Sequence, residues 1–168
     1  DYLSPQELNH IRAMYAASVT FSDKWFGHFW DTLERLGRLE DTLILLSSDH
    51  GFMLGDHGRT GKHSVAVPRQ DAWPLYEPCT HVPLLVHAPG QKSARRCGEL
   101  VHHADILPTL LDCAGIDPGP TAKGVSWKTI LEGGQLHTRD IAVTCSGLKP
   151  YGEKTANRVS IASKQYSL

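Results

Sequence analysis

The sequence lacks several features that would place a protein in a class at once. Its four cysteines form no CxxC pair, so neither a cysteine-ligated structural zinc nor a dense disulfide framework is expected. It has no apolar run long enough to span a membrane. The formal net charge of −1 gives no sign of the overall basic charge that is typical of nucleic-acid-binding domains, so binding of a polyanion would need a local patch. A Gly-x-Ser-x-Gly motif is also missing, which argues against a serine hydrolase of that type.

What remains is the composition of an ordinary globular domain. Of the 168 residues, 40% are hydrophobic and 21% are charged, a balance and a length that support one domain with its own core. The first residues are polar and show no signal-peptide pattern. Neither localisation nor oligomeric state can be read from the residues.

A long helix is predicted near the start of the chain. Ser4, Pro5 and Glu7 have the pattern of a capping box with proline at the first helical position. Apolar residues then follow at helical spacing and are expected to form a core stripe that lies on a sheet: Leu8, Ile11, Tyr15, Val19, Phe26, Phe29, Leu33 and Leu36.

The most informative segment is an apolar run over residues 42–47 that leads into a glycine-rich stretch. The run fits a parallel strand buried on both faces, and Asp49 and His50 follow it directly. A carboxylate and an imidazole at the end of such a strand are suitable metal ligands, and Lys62 can bring a positive charge to the same place. The same residues also fit an ordinary turn and a solvated lysine, and the residues alone leave both interpretations open.

Four short motifs in this order resemble the sulfatase family of the alkaline phosphatase superfamily, with iduronate-sulfatase-like and choline-sulfatase-like members among the relatives. They are residues 45–51 (LLSSDHG), 54–58 (LGDHG), 61–62 (GK) and 81–90 (HVPLLVHAPG). The resemblance implies an α/β fold, namely an alkaline phosphatase-like sandwich with a mostly parallel central sheet flanked by helices. An incomplete small antiparallel subdomain is expected to follow it.

The resemblance also implies roles for single residues. Asp49 and His50 would help to bind a divalent cation, which is usually Ca²⁺ in sulfatases and Mn²⁺ or Zn²⁺ in relatives that cleave phosphonate or phosphate esters. Lys62 would contact the sulfate group and offset charge on the leaving oxygen. His57 matches a recurrent loop position and is the second predicted catalytic residue.

The chain departs from the family pattern in two ways. It has no Cys/Ser-x-Pro-x-Arg motif, whose first residue becomes the formylglycine nucleophile, and it has no early Asp-Asp metal pair. We therefore expect residues 1–116 to be the C-terminal half of a catalytic domain, with a linker and an incomplete subdomain in residues 117–168. Formylglycine is expected in a missing part, and the isolated chain is expected to be inactive.

Residues 64–75 lengthen a connection that is short in many relatives. This segment fits an inserted surface loop, which proteins tolerate well. It also fits a flap that binds the substrate through Arg69 and Trp73.

Further along the chain, residues 92–96 are basic and fit a solvated turn. The segment 101–114 is predicted to hold a short amphipathic helix, with His102 and His103 before its first turn as capping or packing residues. Strands of an antiparallel sheet are predicted over residues 141–144 and 159–162.

The function that the resemblance implies is metal-assisted hydrolysis of sulfate esters in a small molecule or glycan. Two alternatives remain open. One is hydrolysis of phosphate or phosphonate esters on the same fold, and the other is a non-catalytic module that binds a metal or a glycan. The organic part of the substrate cannot be read from the residues.

Overall fold

The structure is a computed structural model that describes residues 3–62, 75–146 and 158–164. The chain forms two compact units, residues 1–93 and residues 94–168, and each is described by itself. The boundary expected between residues 116 and 117 separates two parts of a family architecture, and it stays a prediction.

Unit 1 begins with helix α1, Pro5–Arg35, which starts as predicted. The Ser4 hydroxyl accepts a hydrogen bond from the Glu7 backbone N–H at 3.3 Å, and the Glu7 carboxylate accepts one from the Ser4 backbone N–H at 2.8 Å. These two bonds form the predicted capping box. After the helix, Gly37 adopts a φ of 64° and turns the chain toward the first strand.

The expected burial of the α1 stripe is wrong for the described chain. No residue of α1 is buried, and Val19 and Phe29 are 53% and 48% exposed. A helix of 31 residues is about 46 Å long, whereas each sheet described in this unit has only two strands. A sheet of that width covers only part of such a stripe.

Strand β1, Ile44–Ser47, lies where the apolar run predicts a strand. Its described partner is β4, Leu84–His87, and the pair is antiparallel, with Ile44 opposite His87. The prediction of a parallel strand is therefore wrong for this pair. Complete burial of the strand is also wrong here, because Leu46, which lies on the same face as the buried Ile44, is 39% exposed.

Between these strands lie the elements that carry the candidate site. Strands β2, Met53–Leu54, and β3, Thr60–Gly61, form an antiparallel hairpin around the fully buried side chain of Met53. Helix α2, Glu77–Thr80, follows later in the chain, and Gly90, with a φ of 72°, ends the segment after β4.

Unit 2 contains the predicted helix in two parts, a 3₁₀ turn over His103–Asp105 and helix α3, Ile106–Cys113. The His102 ring nitrogen Nδ1 accepts a hydrogen bond from the Ala104 backbone N–H at 3.2 Å, which confirms its capping role. Helix α4, Lys128–Leu131, comes next.

The two predicted C-terminal strands are also confirmed. They are β5, Ile141–Ser146, and β6, Arg158–Ser163, and they pair antiparallel. Residues 92–96 are exposed, as a solvated turn requires.

The interior of unit 2 is organised around a buried carboxylate. Asp105 has no exposed surface, and it accepts hydrogen bonds from the backbone N–H groups of His102 at 2.7 Å and Val125 at 2.8 Å. The Arg139 guanidinium lies 2.5 Å from the same carboxylate. One side chain thus joins three segments of the unit.

All four cysteines are free thiols. Within the described ranges, the structure contains no helix with both the length and the apolar character that crossing a bilayer requires.

Candidate metal and anion site

The site begins at the carboxyl end of β1, where the chain turns sharply against α2. The Gly51 backbone N–H donates to the Cys79 carbonyl at 2.9 Å. A Cβ atom at position 51 would lie 1.8 Å from the Pro78 carbonyl oxygen, so only glycine fits this approach. The loop that carries Asp49 and His50 is therefore held against α2 through its backbone.

The hydrogen bonds of His50 indicate which ring nitrogen carries the proton. Nδ1 lies 2.8 Å from the Gly51 carbonyl oxygen, which can only accept, so Nδ1–H donates and the Nε2 lone pair is free to accept. The Lys62 ammonium lies 2.8 Å from Nε2, and the Asp49 carboxylate oxygen Oδ2 lies 3.4 Å from it. The structure thus brings three of the predicted site residues together around one ring nitrogen.

Asp49 and His50 have the properties of cation ligands. Their side chains are 83% and 36% exposed, so both can reach an ion, and a carboxylate with an imidazole is a suitable donor pair for several divalent metals. An imidazole that donates its second N–H to a carbonyl is the usual arrangement in metal sites, because this bond fixes the ring and its tautomer.

These two side chains are only part of a ligand set. Ca²⁺ takes about 6–8 oxygen ligands and zinc sites use about four ligands. In the ranges that the structure describes, no group of three or more His, Cys, Asp or Glu side chains could hold a metal ion. The residues present therefore fit the edge of a cation site that further ligands would complete.

The described ring contact of His57 is not with the cluster of Asp49, His50 and Lys62. His57 occupies the 3₁₀ turn Asp56–Gly58 between β2 and β3 and has a φ of 52°. Its ring stacks on Tyr76 with a centroid distance of 3.9 Å and an interplanar angle of 10°. Sequence reasoning missed Tyr76, because a single aromatic residue in a loop carries no pattern that reveals its partner.

Arg69 and Trp73, the predicted substrate-binding residues of the flap, lie outside the described residues. The flap and its two side chains remain predictions.

Cys79 contributes to the site through its carbonyl rather than its thiol. Burial raises the pKa of the Cys79 thiol, and the nearby Asp56 carboxylate raises that pKa further. The thiolate is the nucleophilic form of cysteine, so both effects reduce the nucleophilic fraction of this thiol at neutral pH. The groups that can act chemically at this site are therefore the two candidate cation ligands, Asp49 and His50, and the Lys62 ammonium.

Two protein-family models match the sequence. A model described as Sulfatase matches residues 3–116, and one described as N-sulphoglucosamine sulphohydrolase, C-terminal, matches residues 70–168. Arylsulfatase K of Mus musculus is 36% identical over 125 residues, which cover 74% of this chain and 21% of that protein. An arylsulfatase of Clostridium perfringens is 33% identical over 134 residues, which cover 77% of this chain and 26% of that protein.

Solved structures are also similar to this chain. Phosphonate monoester hydrolase of Agrobacterium radiobacter superposes with a TM-score of 0.81 at 28% identity, covering 98% of this chain and 33% of that one. An enzyme solved in complex with its substrate D-glucosamine-2-N,6-O-disulfate superposes with a TM-score of 0.64 at 26% identity, covering 89% of this chain and 29% of that one. The chain spans about a fifth to a third of the length of these relatives.

Proposed function

Because this chain belongs to the sulfatase family and has the predicted alkaline phosphatase-like α/β fold, we propose that its complete protein hydrolyses sulfate esters. The observation that carries the proposal is the cluster of Asp49, His50 and Lys62 at the end of β1, where His50 Nε2 lies 2.8 Å from the Lys62 ammonium. The named arylsulfatase relatives support sulfate rather than another ester.

In this proposal Asp49 and His50 supply part of the ligand set of a divalent cation, most simply Ca²⁺. When bound, the cation supplies Lewis-acid polarisation of a substrate oxygen. The bond from His50 Nδ1–H to the Gly51 carbonyl fixes the ring and leaves Nε2 as the atom that would bind the cation. Because Nε2 has one lone pair, the Lys62 ammonium that lies 2.8 Å from it would turn toward the substrate when the cation binds. The Asp49 carboxylate adds negative charge beside Nε2, which favours a cation at that place.

Lys62 acts on the substrate. Its ammonium, within hydrogen-bonding distance of His50, donates hydrogen bonds to sulfate oxygens and offsets the negative charge that develops on the leaving oxygen. Ammonium suits this task because it is a compact charge with three donors on a flexible stem. The described geometry places no contact between Lys62 and His57, so the catalytic role of His57 stays a prediction.

The nucleophile of this proposal is a formylglycine outside these 168 residues, since the chain contains no Cys/Ser-x-Pro-x-Arg motif. The substrate is a sulfated small molecule or glycan. The structural relative solved with a disulfated glucosamine supports a sulfated sugar, and Arg69 and Trp73 are the proposed contacts to its organic part.

A second candidate function is hydrolysis of phosphonate or phosphate esters. The observation that favours it is the superposition on a phosphonate monoester hydrolase with a TM-score of 0.81. In that case Mn²⁺ or Zn²⁺ is the expected cation, because the Asp49 carboxylate suits Mn²⁺ and the His50 imidazole suits Zn²⁺. Sulfate and phosphonate monoesters both present tetrahedral anionic oxygens to the same ammonium.

The test uses the complete protein encoded by the gene that carries this sequence. Aryl esters of sulfate, phosphate and phosphonate and a 6-sulfated glucosamine are assayed side by side, with Ca²⁺, Mn²⁺ or Zn²⁺ added after chelation. Hydrolysis of the sulfates with Ca²⁺ supports the main proposal. A higher kcat/KM for the phosphonate with Mn²⁺ or Zn²⁺ supports the second candidate.

The Lys62→Met variant tests the assigned role of the ammonium. Removing one hydrogen-bond donor to a developing anion lowers kcat by roughly 10²–10³-fold in comparable sites, and we expect a loss of this order. Lys62 is exposed, so the unfolding midpoint should not move. Lys24→Met, at an exposed position on α1, is the matched control and should retain wild-type turnover; unchanged turnover in Lys62→Met would refute the role.

A further inference from the structure

The stacked pair of His57 and Tyr76 joins two parts of unit 1, the β2–β3 hairpin and the start of α2. Each part is connected to the candidate site. The rings are 3.9 Å apart between centroids and almost parallel, so they share a broad contact face. His57 lies at the tip of the β2–β3 hairpin, and Tyr76 directly precedes α2. No sequence motif relates the two residues.

The backbone of His57 is held in an unfavourable conformation. It has a φ of 52° and a ψ of 27°, and among the described residues it is the one residue other than glycine with a positive φ. The left-handed region costs free energy for residues with a Cβ atom, and such residues persist where surrounding contacts determine them, often at functional sites. The contact that fixes this ring is the stack on Tyr76.

Two backbone hydrogen bonds connect Tyr76 with the loop that carries the proposed cation ligands, Asp49 and His50. The Tyr76 carbonyl accepts from the Cys79 backbone N–H at 2.9 Å, and the Cys79 carbonyl accepts from the Gly51 backbone N–H at 2.9 Å. Gly51 is the residue whose carbonyl orients the His50 ring. Tyr76 is therefore connected to the His50 ring through two backbone hydrogen bonds and the bond of the ring itself to the Gly51 carbonyl.

The β2–β3 hairpin connects His57 with Lys62, which carries the ammonium group. The Gly55 backbone N–H donates to the Arg59 carbonyl at 2.9 Å across the hairpin loop, and Leu54 and Met53 pair with Thr60 and Gly61. Lys62 follows Gly61 directly. The Cys79 thiol also reaches the Gly61 carbonyl, at 3.9 Å, but a thiol is a weak donor.

We propose that the His57–Tyr76 stack is a positioning device. It holds the β2–β3 hairpin against α2 and thereby places the Lys62 ammonium beside the His50 ring. The inference rests on the proposed function, because it assigns Lys62 its place in that reaction. Tyr76 and His57 act through Lys62 and need no contact with the substrate.

The first test compares variants that keep or remove the stack in the complete protein. Tyr76→Phe retains the aromatic face and should keep kcat within about twofold of wild type, whereas Tyr76→Leu should lower kcat about tenfold with KM little changed, because an interaction made in the transition state is weakened. Equal losses in Tyr76→Phe and Tyr76→Leu would overturn the inference.

A double-mutant cycle shows whether Tyr76 acts through Lys62. In the Lys62→Met background, adding Tyr76→Leu should change kcat by less than about twofold, because residues that act as one unit are not additive. The same tenfold loss in both backgrounds would mean that Tyr76 acts independently of Lys62, and the inference would fail.

A spectroscopic readout separates this inference from the proposed function. In histidine-¹⁵N-labelled protein, Tyr76→Leu should abolish the ring-current shift of the His57 ring protons and should also move the His50 Nε2 resonance. His57→Asn serves as the second variant if Tyr76→Leu does not fold, since asparagine tolerates the left-handed backbone. An unmoved His50 Nε2 resonance in the folded variant would overturn the positioning role, whereas absence of any ester hydrolysis by the wild type would count against the proposed function alone.

Discussion

Single residues determine the shape of the site where backbone approaches backbone. Gly51 lies so close to α2 that a Cβ atom would be 1.8 Å from the Pro78 carbonyl oxygen. The same close approach lets the Gly51 N–H reach the Cys79 carbonyl while its own carbonyl accepts from His50. One glycine thus both anchors the ligand loop and selects the histidine tautomer.

The Cys79 thiol allows a test of this packing by chemical modification. Because burial and then the Asp56 carboxylate raise the pKa of Cys79, less of it is thiolate at pH 8 than for an ordinary cysteine. We expect alkylation by iodoacetamide to be slower at Cys79 than at the exposed thiols of Cys97 and Cys145, since the thiolate is the reacting form. Mass spectrometry of timed samples from pH 7 to pH 10 measures the three rates.

The pH dependence of that reaction follows from the sign of the shift. A raised pKa means that the rate at Cys79 should keep rising at pH values where an unshifted thiol has already reached its plateau. Asp56→Asn removes the second cause and should speed the reaction modestly at pH 8. Alkylation of Cys79 as fast as that of Cys97 and Cys145 would contradict the packing around α2.

Among the elements, α1 shows how strongly local signals determine where a helix begins. The Ser4 and Glu7 side chains each bond the backbone of the other residue, which satisfies two N–H groups that the helix leaves open. The stripe along the same helix is a different matter, because its burial depends on which surface faces it. Its N-terminal part does reach unit 1, where the Arg12 Nε–H donates to the Leu54 carbonyl at 2.8 Å.

The capping box gives a prediction at the scale of this element. Ser4→Ala should destabilise unit 1 by about 1 kcal/mol at pH 7, whereas Ser4→Gly should cost only a few tenths. Urea unfolding of the three proteins measures the difference. Unchanged stability of Ser4→Ala relative to wild type would show that the helix start is not held by the bond to the Ser4 hydroxyl.

The same box makes the helix start depend on pH. Hydrogen bonds from the backbone and the hydroxyl of Ser4 lower the pKa of Glu7, so its support is present above the ordinary pKa of a glutamate and is lost as the pH falls through the lowered value. The difference between wild type and Ser4→Ala should therefore shrink at the lowest pH. An undiminished difference there would argue against the Glu7 half of the box.

At the scale of the whole molecule, the two compact units hold together by different means. The described part of unit 1 relies on backbone bonds between short elements and has few buried apolar side chains, Ile44 and Met53. The described part of unit 2 gathers around Asp105, whose carboxylate is bonded by three segments. Thr109 completes this interior, because its hydroxyl donates to the Asp105 carbonyl and accepts from the Trp127 N–H.

The ion pair of Asp105 and Arg139 gives the largest stability effect that we predict. Arg139→Met leaves the fully buried Asp105 carboxylate without its counter-ion, and breaking such a pair costs roughly 3–5 kcal/mol. Urea unfolding monitored by tryptophan fluorescence, to which the buried Trp127 of this unit contributes, measures the loss. Arg96→Met, at an exposed position of the same unit, is the control and should change stability by less than about 0.5 kcal/mol; similar values for both variants would disprove the role of the pair.

Much of the chain was predictable from local residues. The capped start of α1, the strand before Asp49, the capping by His102 and the strands β5 and β6 all follow from patterns that neighbouring residues complete among themselves. The motif around residues 45–62 also indicated the family, because its spacing is a property of the sequence itself.

Only the tertiary structure decided the features that depend on distant partners. The antiparallel direction of β1 and β4, the 2.8 Å contact between His50 Nε2 and Lys62, the stack of His57 on Tyr76 and the exposure of the α1 stripe each join or separate residues that no local pattern relates. The physical reason is range. A hydrogen-bonded cap or an alternation of apolar residues is stabilised within a few residues, whereas strand direction, side-chain pairing and burial depend on surfaces that meet only when the chain has folded.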